Sequence, residues 1–318
     1  MINREGSVDC IYIAASARDA RYTRICVASV RYFYPEILIR LLASGRLQRG
    51  LEDELRQYWD VATADLPRGD YGWGFVKLEP LFGPSGERFL VLDSDTVLTG
   101  QVLDIWNEFP APFLVDDEEQ SEADTKRLYY DWEKVRKIDP SAQPPQFVFN
   151  SGQWFGTAGV LTRDDFAIWV EWTMPRKLRY PEHFMPGDQG VLNYVFNRKA
   201  ALEELQVERR QIMRWPGHSM EGLDAETVSR RAAPPRIVHW AGLKKARQRD
   251  IVGADLLAFF EKVYYKRLPA GEARRILAGC RHTLSHRLLE ADLRVKLAFR
   301  RYATLGKVSL GETVPAEK

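Results

Sequence analysis

Four clusters in this 318-residue chain carry residue types that hold cations, phosphates or hydroxyls. Asp93-Ser94-Asp95 sets two carboxylates one residue apart, directly after the apolar run at residues 89–92. Two carboxylates so placed can face one hard cation, and a diphosphate can complete its octahedral oxygen shell. A lone triplet of this kind is often just an exposed turn. His239, at the end of the run Ile-Val-His-Trp, is followed by Gly242 and Lys245. The imidazole could be a third metal ligand, the glycine could let backbone approach closely, and the lysine (with Lys244 as its rival) could neutralise phosphate. Taken singly, His239 would instead be a satisfied core histidine. Asn150-Ser151-Gly152 by itself reads as a turn. Asp188-Gln189 by itself reads as a helix start, where an acid complements the dipole.

These residues need a scaffold, and the flanking pattern supplies one. Residues 8–15 are an apolar run that predicts a buried strand, and residues 22–33 carry apolar side chains at helical spacing. Strand, loop, helix is how a nucleotide-binding α/β unit opens. Further strands are expected over 36–42, 89–92, 147–157 and 236–240, and helices over 50–59, 75–81, 164–172 and 187–196. A buried parallel strand ending in acid at residue 93 would place Asp93 and Asp95 at its carboxyl end, where such folds bind ligands. Residues 116–146 form a polar excursion, with a helix expected over 124–137. Residues 254–305 read as helical, interrupted near Pro269. The predicted division is a body over 1–253 and a basic helical extension over 254–318.

Composition narrows the class. With 45% hydrophobic and 28% charged residues, the chain is globular rather than disordered. Cys10, Cys26 and Cys280 make no close pair, so neither a disulfide framework nor a thiolate metal site is expected. No secretory signal or bilayer-spanning run is evident, which predicts a cytoplasmic protein. The formal charge of +2 is uneven: residues 262–307 hold twelve Lys or Arg against three Asp or Glu. An acidic body with a basic tail does not suit general nucleic-acid binding. It suits a body that holds a cation and a tail that meets an anionic surface, such as the inner face of a membrane.

The blocks VLDSDTVL, FNSGQWF, GDQGVLN and HWAGLKK, in that order, resemble glycosyltransferase family 8. That family includes glycogenin and bacterial lipopolysaccharide galactosyl- and glucosyltransferases. The resemblance implies a GT-A fold, in which helices flank a Rossmann-like mixed sheet. It also implies a nucleotide-diphosphate sugar donor, usually UDP-linked, a glycan or lipid-linked saccharide acceptor, and retention of anomeric configuration. Carried over by motif, Asp93, Asp95 and His239 would bind Mn²⁺ or Mg²⁺, with Ser94 between the carboxylates. Gly242 and Lys245 would bind the diphosphate, and Ala14, Ala15 and Tyr22 would meet the base. Lys77 would approach the donor, and Asn150, Asp188 and Gln189 would surround the transferred sugar. The chain departs from the family pattern at Gly190, where an acid often stands, and after Gly242, where Leu-Lys-Lys-Ala replaces Lys-Pro-Trp.

Gln189 is neutral and a poor nucleophile, so front-face attack is expected, with Asp188 as a second choice of nucleophile. Two other readings compete. A haloacid-dehalogenase-type phosphatase would use Asp93 as nucleophile but leaves the later blocks unexplained. A non-catalytic sugar-nucleotide or glycan-binding protein would bind without turnover.

Overall fold

The computed structural model describes residues 7–242 and 250–284. The strands are β1 (Cys10–Ala15), β2 (Leu38–Ala43), β3 (Val61–Thr63), β4 (Arg88–Asp93), β5 (Thr96–Leu98) and β6 (Phe113–Asp116). They continue with β7 (Gln153–Thr157), β8 (Val170–Glu171), β9 (Lys177–Leu178), β10 (Val207–Arg210), β11 (Met213–Arg214) and β12 (Ile237–His239). The helices are α1 (Ala20–Phe33), α2 (Leu51–Trp59), α3 (Leu103–Asn107), α4 (Glu122–Leu128), α5 (Trp132–Val135), α6 (Asp188–Ala201), α7 (Ala225–Ser229) and α8 (Ala254–Lys266).

Seven strands form the central sheet in the order β10-β6-β7-β4-β1-β2-β3. β7 runs antiparallel to β4 and β6, and the other pairs are parallel. Both faces are covered, which is why β1 and β4 read as unbroken apolar runs. Ile11, Ile13, Leu90 and Leu92 enter one core with α1, α2 and α8. Their neighbours Cys10, Tyr12, Phe89 and Val91 enter the other core with α6. This is the period-two alternation of a strand buried on both sides.

A second sheet, β11-β12-β5, determines where the site forms. The chain turns sharply at Ser94-Asp95 on leaving β4, and the Thr96 hydroxyl donates to the Asp93 carbonyl at 2.7 Å. β5 then pairs antiparallel with β12, setting His239 opposite Thr96.

Two expected helices are not continuous. Over 124–137 the chain makes α4 and α5, separated where Tyr130 bridges Phe184. Asp131 caps α5 by accepting from the amides of Glu133 and Lys134, so its side chain starts a new helix rather than continuing the old one. Over 164–172 only a 3-10 turn forms, at Arg163–Phe166, and the chain then pairs as β8 with β9. Val170 and Trp172 suit a half-buried strand, and Pro175 cannot supply a helical amide. The expected helix after residue 74 is a 3-10 helix, Phe75–Phe82, with Pro80 inside it. The strand expected over 36–42 begins two residues later, at Leu38.

α8 packs within the same core as α1. Leu256, Leu257, Phe260 and Tyr264 are buried there, Tyr264 stacks on Trp59 at 4.9 Å, and Arg21 makes a two-pronged ion pair with Glu261 at 2.7 and 2.8 Å. Burying each such apolar side chain is worth about 1.5–3 kcal/mol. The four together are comparable with the ~5–15 kcal/mol stability of a whole domain. A chain ending at Gly253 is therefore expected to unfold at room temperature or express as aggregate, while one ending at residue 270 keeps a cooperative melt. Circular-dichroism melts of the two truncations check this, and equal melting temperatures would contradict it.

Candidate active site

Strand ends and one tight turn converge at the carboxyl edge of β4. Asp93, Asp95 and His239 each offer a ligand atom within 4.8 Å of the others. His239 Nε2 lies 3.5 Å from Asp95 Oδ1 and 3.7 Å from Asp93 Oδ2. The pairing of β12 with β5 delivers the histidine, and the Trp240 amide donating to the Asp95 carbonyl at 3.0 Å ties the two segments together.

His239 is 1% exposed, and neither ring nitrogen has a hydrogen-bond partner among the described residues. Buried polar atoms are almost always satisfied, so an orphaned imidazole beside two carboxylates suits a cation held by all three. Two carboxylate oxygens and one imidazole fit Mn²⁺ or Mg²⁺ better than a soft metal. Trp215 stacks on the imidazole at 5.2 Å and an interplanar angle of 20°. A Cβ on Gly152 would sit 2.2 Å from His239 Cε1, so only glycine leaves room for the ring. Trp215 carried no motif, and Gly152 read merely as part of a turn.

Lys77 lies on the 3-10 helix and is buried. Its Nζ donates to the Ser151 carbonyl and hydroxyl at 3.1 Å each, and it pairs with Asp188 at 3.2 Å and Asp93 at 3.3 Å. Burial works against the charge, but Asp188 and Asp93 outweigh it and push the Lys77 pKa up to about 12. The ammonium thus links the Asp93 side of the site to Asp188, at the first turn of α6. Gly74 permits this: with φ of 82° it takes a left-handed conformation, and a Cβ there would strike Asp188 Oδ1 at 1.9 Å.

Asn150, Ser151 and Gln189 form one network. The Gln189 carbonyl oxygen accepts from Asn150 Nδ2 at 3.1 Å and from the Ser151 amide at 3.3 Å, while its Nε2 donates to the Leu128 carbonyl at 2.9 Å. Asn193 and Asn197 continue the row at four-residue steps along α6. Asn193 holds both the amide and the carbonyl of Phe149 at 2.9 Å, and Asn197 holds the amide of Gln146 and the carbonyl of Phe147 at 2.7 and 2.8 Å. One helix face thereby clasps the backbone that carries Asn150 and Ser151. The signal is present in the sequence as amide side chains at positions 189, 193 and 197, four residues apart along one helix.

Asn193→Ala leaves two backbone groups of Phe149 without partners at a fully buried position. Each unsatisfied group costs about 1–3 kcal/mol. The expected outcome is a loss of 2 kcal/mol or more in urea unfolding. A change below ~0.5 kcal/mol would show that the clasp is not needed.

The other expected site residues divide. Ala14 lies directly opposite Asp93 in the β1–β4 register, and Ala15 follows it at the strand end. Ser94 is buried in the turn with no partner for its hydroxyl among the described residues. Tyr22, in the first turn of α1, is buried in the core, so it does not present the surface expected of a base contact. Gly242 is exposed with φ of 77°. Lys244 and Lys245 fall outside the described residues. Gly190 stands where the resemblance places an acid, and a Cβ there would meet the Tyr129 carbonyl oxygen at 2.3 Å. The backbone between α4 and α5 fills that space, which gives the departure a steric reason. Glu118 went unnoticed in the sequence. It bridges to Val148, takes a short hydrogen bond from the Tyr129 hydroxyl, and burial pushes its carboxyl above the usual range.

No family model matches the chain, and no curated protein sequence does. Among solved structures, it superposes on the galactosyltransferase LgtC in complex with donor and acceptor sugar analogs, with TM-score 0.53 and 16% identity over 84% of this chain and 99% of that one. The chain has a GT-A fold. An active-site mutant of LgtC gives TM-score 0.52 at 14% identity, covering 80% of this chain and 95% of that one. The bifunctional glycosyltransferase WbbM gives 0.51 at 15%, covering 81% of this chain and 50% of that one. At such identities the likeness establishes the GT-A architecture, and chemistry has to be argued from the site.

Proposed function

We propose that this protein is a retaining glycosyltransferase that moves a hexose from a nucleotide-diphosphate sugar, UDP-linked, to a glycan or lipid-linked saccharide. The observation that carries the reading is the Asp93–Asp95–His239 group at the carboxyl end of a central strand, with its orphaned imidazole. Asp93, Asp95 and His239 would hold Mn²⁺ or Mg²⁺, which when bound stabilises the negative charge of a departing diphosphate. Gly242 and Lys245 would approach that diphosphate, and Ala14 and Ala15 would meet the base.

Within a retaining reaction, what the nearby side chains are already doing favours front-face substitution over double displacement. A double displacement needs a carboxylate free to attack the anomeric carbon. Asp188 is buried against Lys77, and the Gln189 amide is bonded at both ends. Front-face substitution suits this arrangement. The bond from the anomeric carbon to the phosphate oxygen breaks, the acceptor oxygen bonds on the same face, and the acceptor proton passes to the departing phosphate. Gln189 and Asn150 orient the sugar, and Lys77 holds Asp188 in place by a 3.2 Å ion pair that works against the upward push of burial on its carboxyl. A phosphatase using Asp93 would leave His239 and the amide row without a role. A binding protein would hold the nucleotide sugar without hydrolysing it.

The decisive experiment is thermal melting and calorimetry with UDP, UDP-sugars and Mn²⁺, separately and together. A ligand at one hundred times its Kd stabilises by about 2.7 kcal/mol. UDP should stabilise with Mn²⁺ present, little without it, and UDP-sugar should be slowly hydrolysed. Absence of any metal-dependent nucleotide binding would refute the reading.

The basic tail is proposed to dock the enzyme on an anionic membrane from the cytoplasmic side. Over 271–284 the helix exposes Ile276, Leu277 and Leu284 among Arg274, Arg275 and Arg281. Among the described residues, no helix is long and apolar enough to cross a membrane. Sedimentation with anionic vesicles should fall as salt rises, and a chain ending at residue 270 should not bind.

A further inference from the structure

Trp73 is the most exposed large apolar side chain among the described residues, at 68%. Its indole has no hydrogen bond or ring partner among them, so the fold gains little from having tryptophan there. Its backbone, by contrast, is tightly held. Gly72 has φ of 73°, and a Cβ on it would strike the Arg176 carbonyl oxygen at 2.2 Å. On the other side, Gly74 closes on Asp188 as described above. Across the gap, Gly187 has φ of 96°, and a Cβ on it would meet the Trp73 carbonyl oxygen at 2.7 Å. Three glycines in conformations that other residues adopt with strain thus let the two loops interlock around this one residue. The result is a fixed backbone presenting a free aromatic face one residue from the contact with Asp188.

Gly74, next to exposed Trp73, closes on buried Asp188, and Asp188 pairs with Lys77, which also pairs with Asp93 of the metal group, so Trp73 stands at the solvent end of a chain of contacts that leads to the site. We propose that Trp73 is the platform for the acceptor: its indole stacks on the apolar face of a pyranose ring and presents that sugar's hydroxyl towards Asp188 and Gln189. The assignment rests on the transferase reading and names its acceptor as a pyranoside, not an amino-acid side chain or a simple alcohol. An aromatic face offers large contact area at low entropic cost, and binding sites characteristically pair such a surface with a few placed polar groups.

The test uses the full chain, with ¹⁵N-labelled indoles, loaded with Mg²⁺ and UDP. The chain has nine tryptophans, and Trp73→Phe identifies the Trp73 signal by its loss. Lactose, methyl β-glucopyranoside and N-acetylglucosamine are then titrated. At least one should shift the Trp73 indole saturably. Trp73→Ala should weaken that binding tenfold or more, Trp73→Phe less than threefold, and the effect on the pyranoside should exceed any effect on UDP. If UDP and Mg²⁺ bind while every sugar leaves the indole unmoved, or if Trp73→Ala binds sugars as tightly as the unaltered chain, the platform is refuted and the donor site stands. If UDP and Mg²⁺ do not bind at all, the transferase reading falls and the platform with it.

Discussion

Asp95→Asn is expected to reduce sugar transfer by at least 10³-fold while leaving the fold intact. Removing a charged ligand from a cation that stabilises a departing diphosphate should cost several kcal/mol in the transition state, and each ~1.4 kcal/mol is tenfold in rate. The stability expectation runs the opposite way. Asp93 and Asp95 bring two carboxylates to one small site, and without a cation their like charges repel. Neutralising one should leave the melting temperature in chelator unchanged or raise it. The Mn²⁺-dependent stabilisation by UDP should disappear. A residue that merely held the turn would behave differently, since the variant would melt lower in chelator and keep its response to Mn²⁺. Full transfer activity by Asp95→Asn in metal-free buffer would remove the metal from the mechanism altogether.

Gly152→Ala should come close to that effect although it touches no ligand atom directly. The new methyl would lie 2.2 Å from His239 Cε1, 2.8 Å from Nδ1 and 2.7 Å from Asn150 Oδ1. Trp215 covers one face of the ring and the backbone of β12 is fixed by its pairing with β5, so the imidazole has little freedom to move aside. Overpacking of this kind costs about 1–3 kcal/mol in stability. Mn²⁺ affinity in the presence of UDP should fall at least tenfold. His239→Ala should also lose Mn²⁺, but it creates space rather than removing it. The double variant should therefore be more stable than the sum of the two single losses predicts, because the methyl then fills the vacated volume. Additive losses, or Mn²⁺ binding unaltered in Gly152→Ala, would show that the ring and the glycine are not in contact.

Much of the site was legible because its pieces are local. The run Phe-Leu-Val-Leu before Asp93 marks a strand buried on both faces, and its acidic end marks where ligands bind. The helix that begins at Asp188 announces itself through the acid at its start, which complements the helix dipole. These features depend on one element and its neighbours in sequence, so period and composition encode them. The two broken helices show the limit of the same logic. Residues 124–137 and 164–172 have helical spacing, but Asp131 as a cap and the pairing of β8 with β9 prevail over it.

What only the tertiary structure decided is who meets whom. His239 reaches Asp95 because β12 pairs with β5 in one particular register, and a slip of one residue would turn the imidazole to the other face. Lys77 sits between Asp93 and Asp188 only because three segments close over it. The amide row on α6 was visible as a spacing, yet its partner, the backbone at 146–151, was not. Gly152 read as part of a turn and Gly190 as a departure from a pattern, while the meaning of Gly152, Gly74 and Gly190 lies in the ring, carboxylate and carbonyl that approach them from elsewhere in the chain. A sequence states each element's own periodicity. Close approach between distant segments is set by the packing of the whole core, where the free energy of burying both faces of the sheet selects one register and excludes the others.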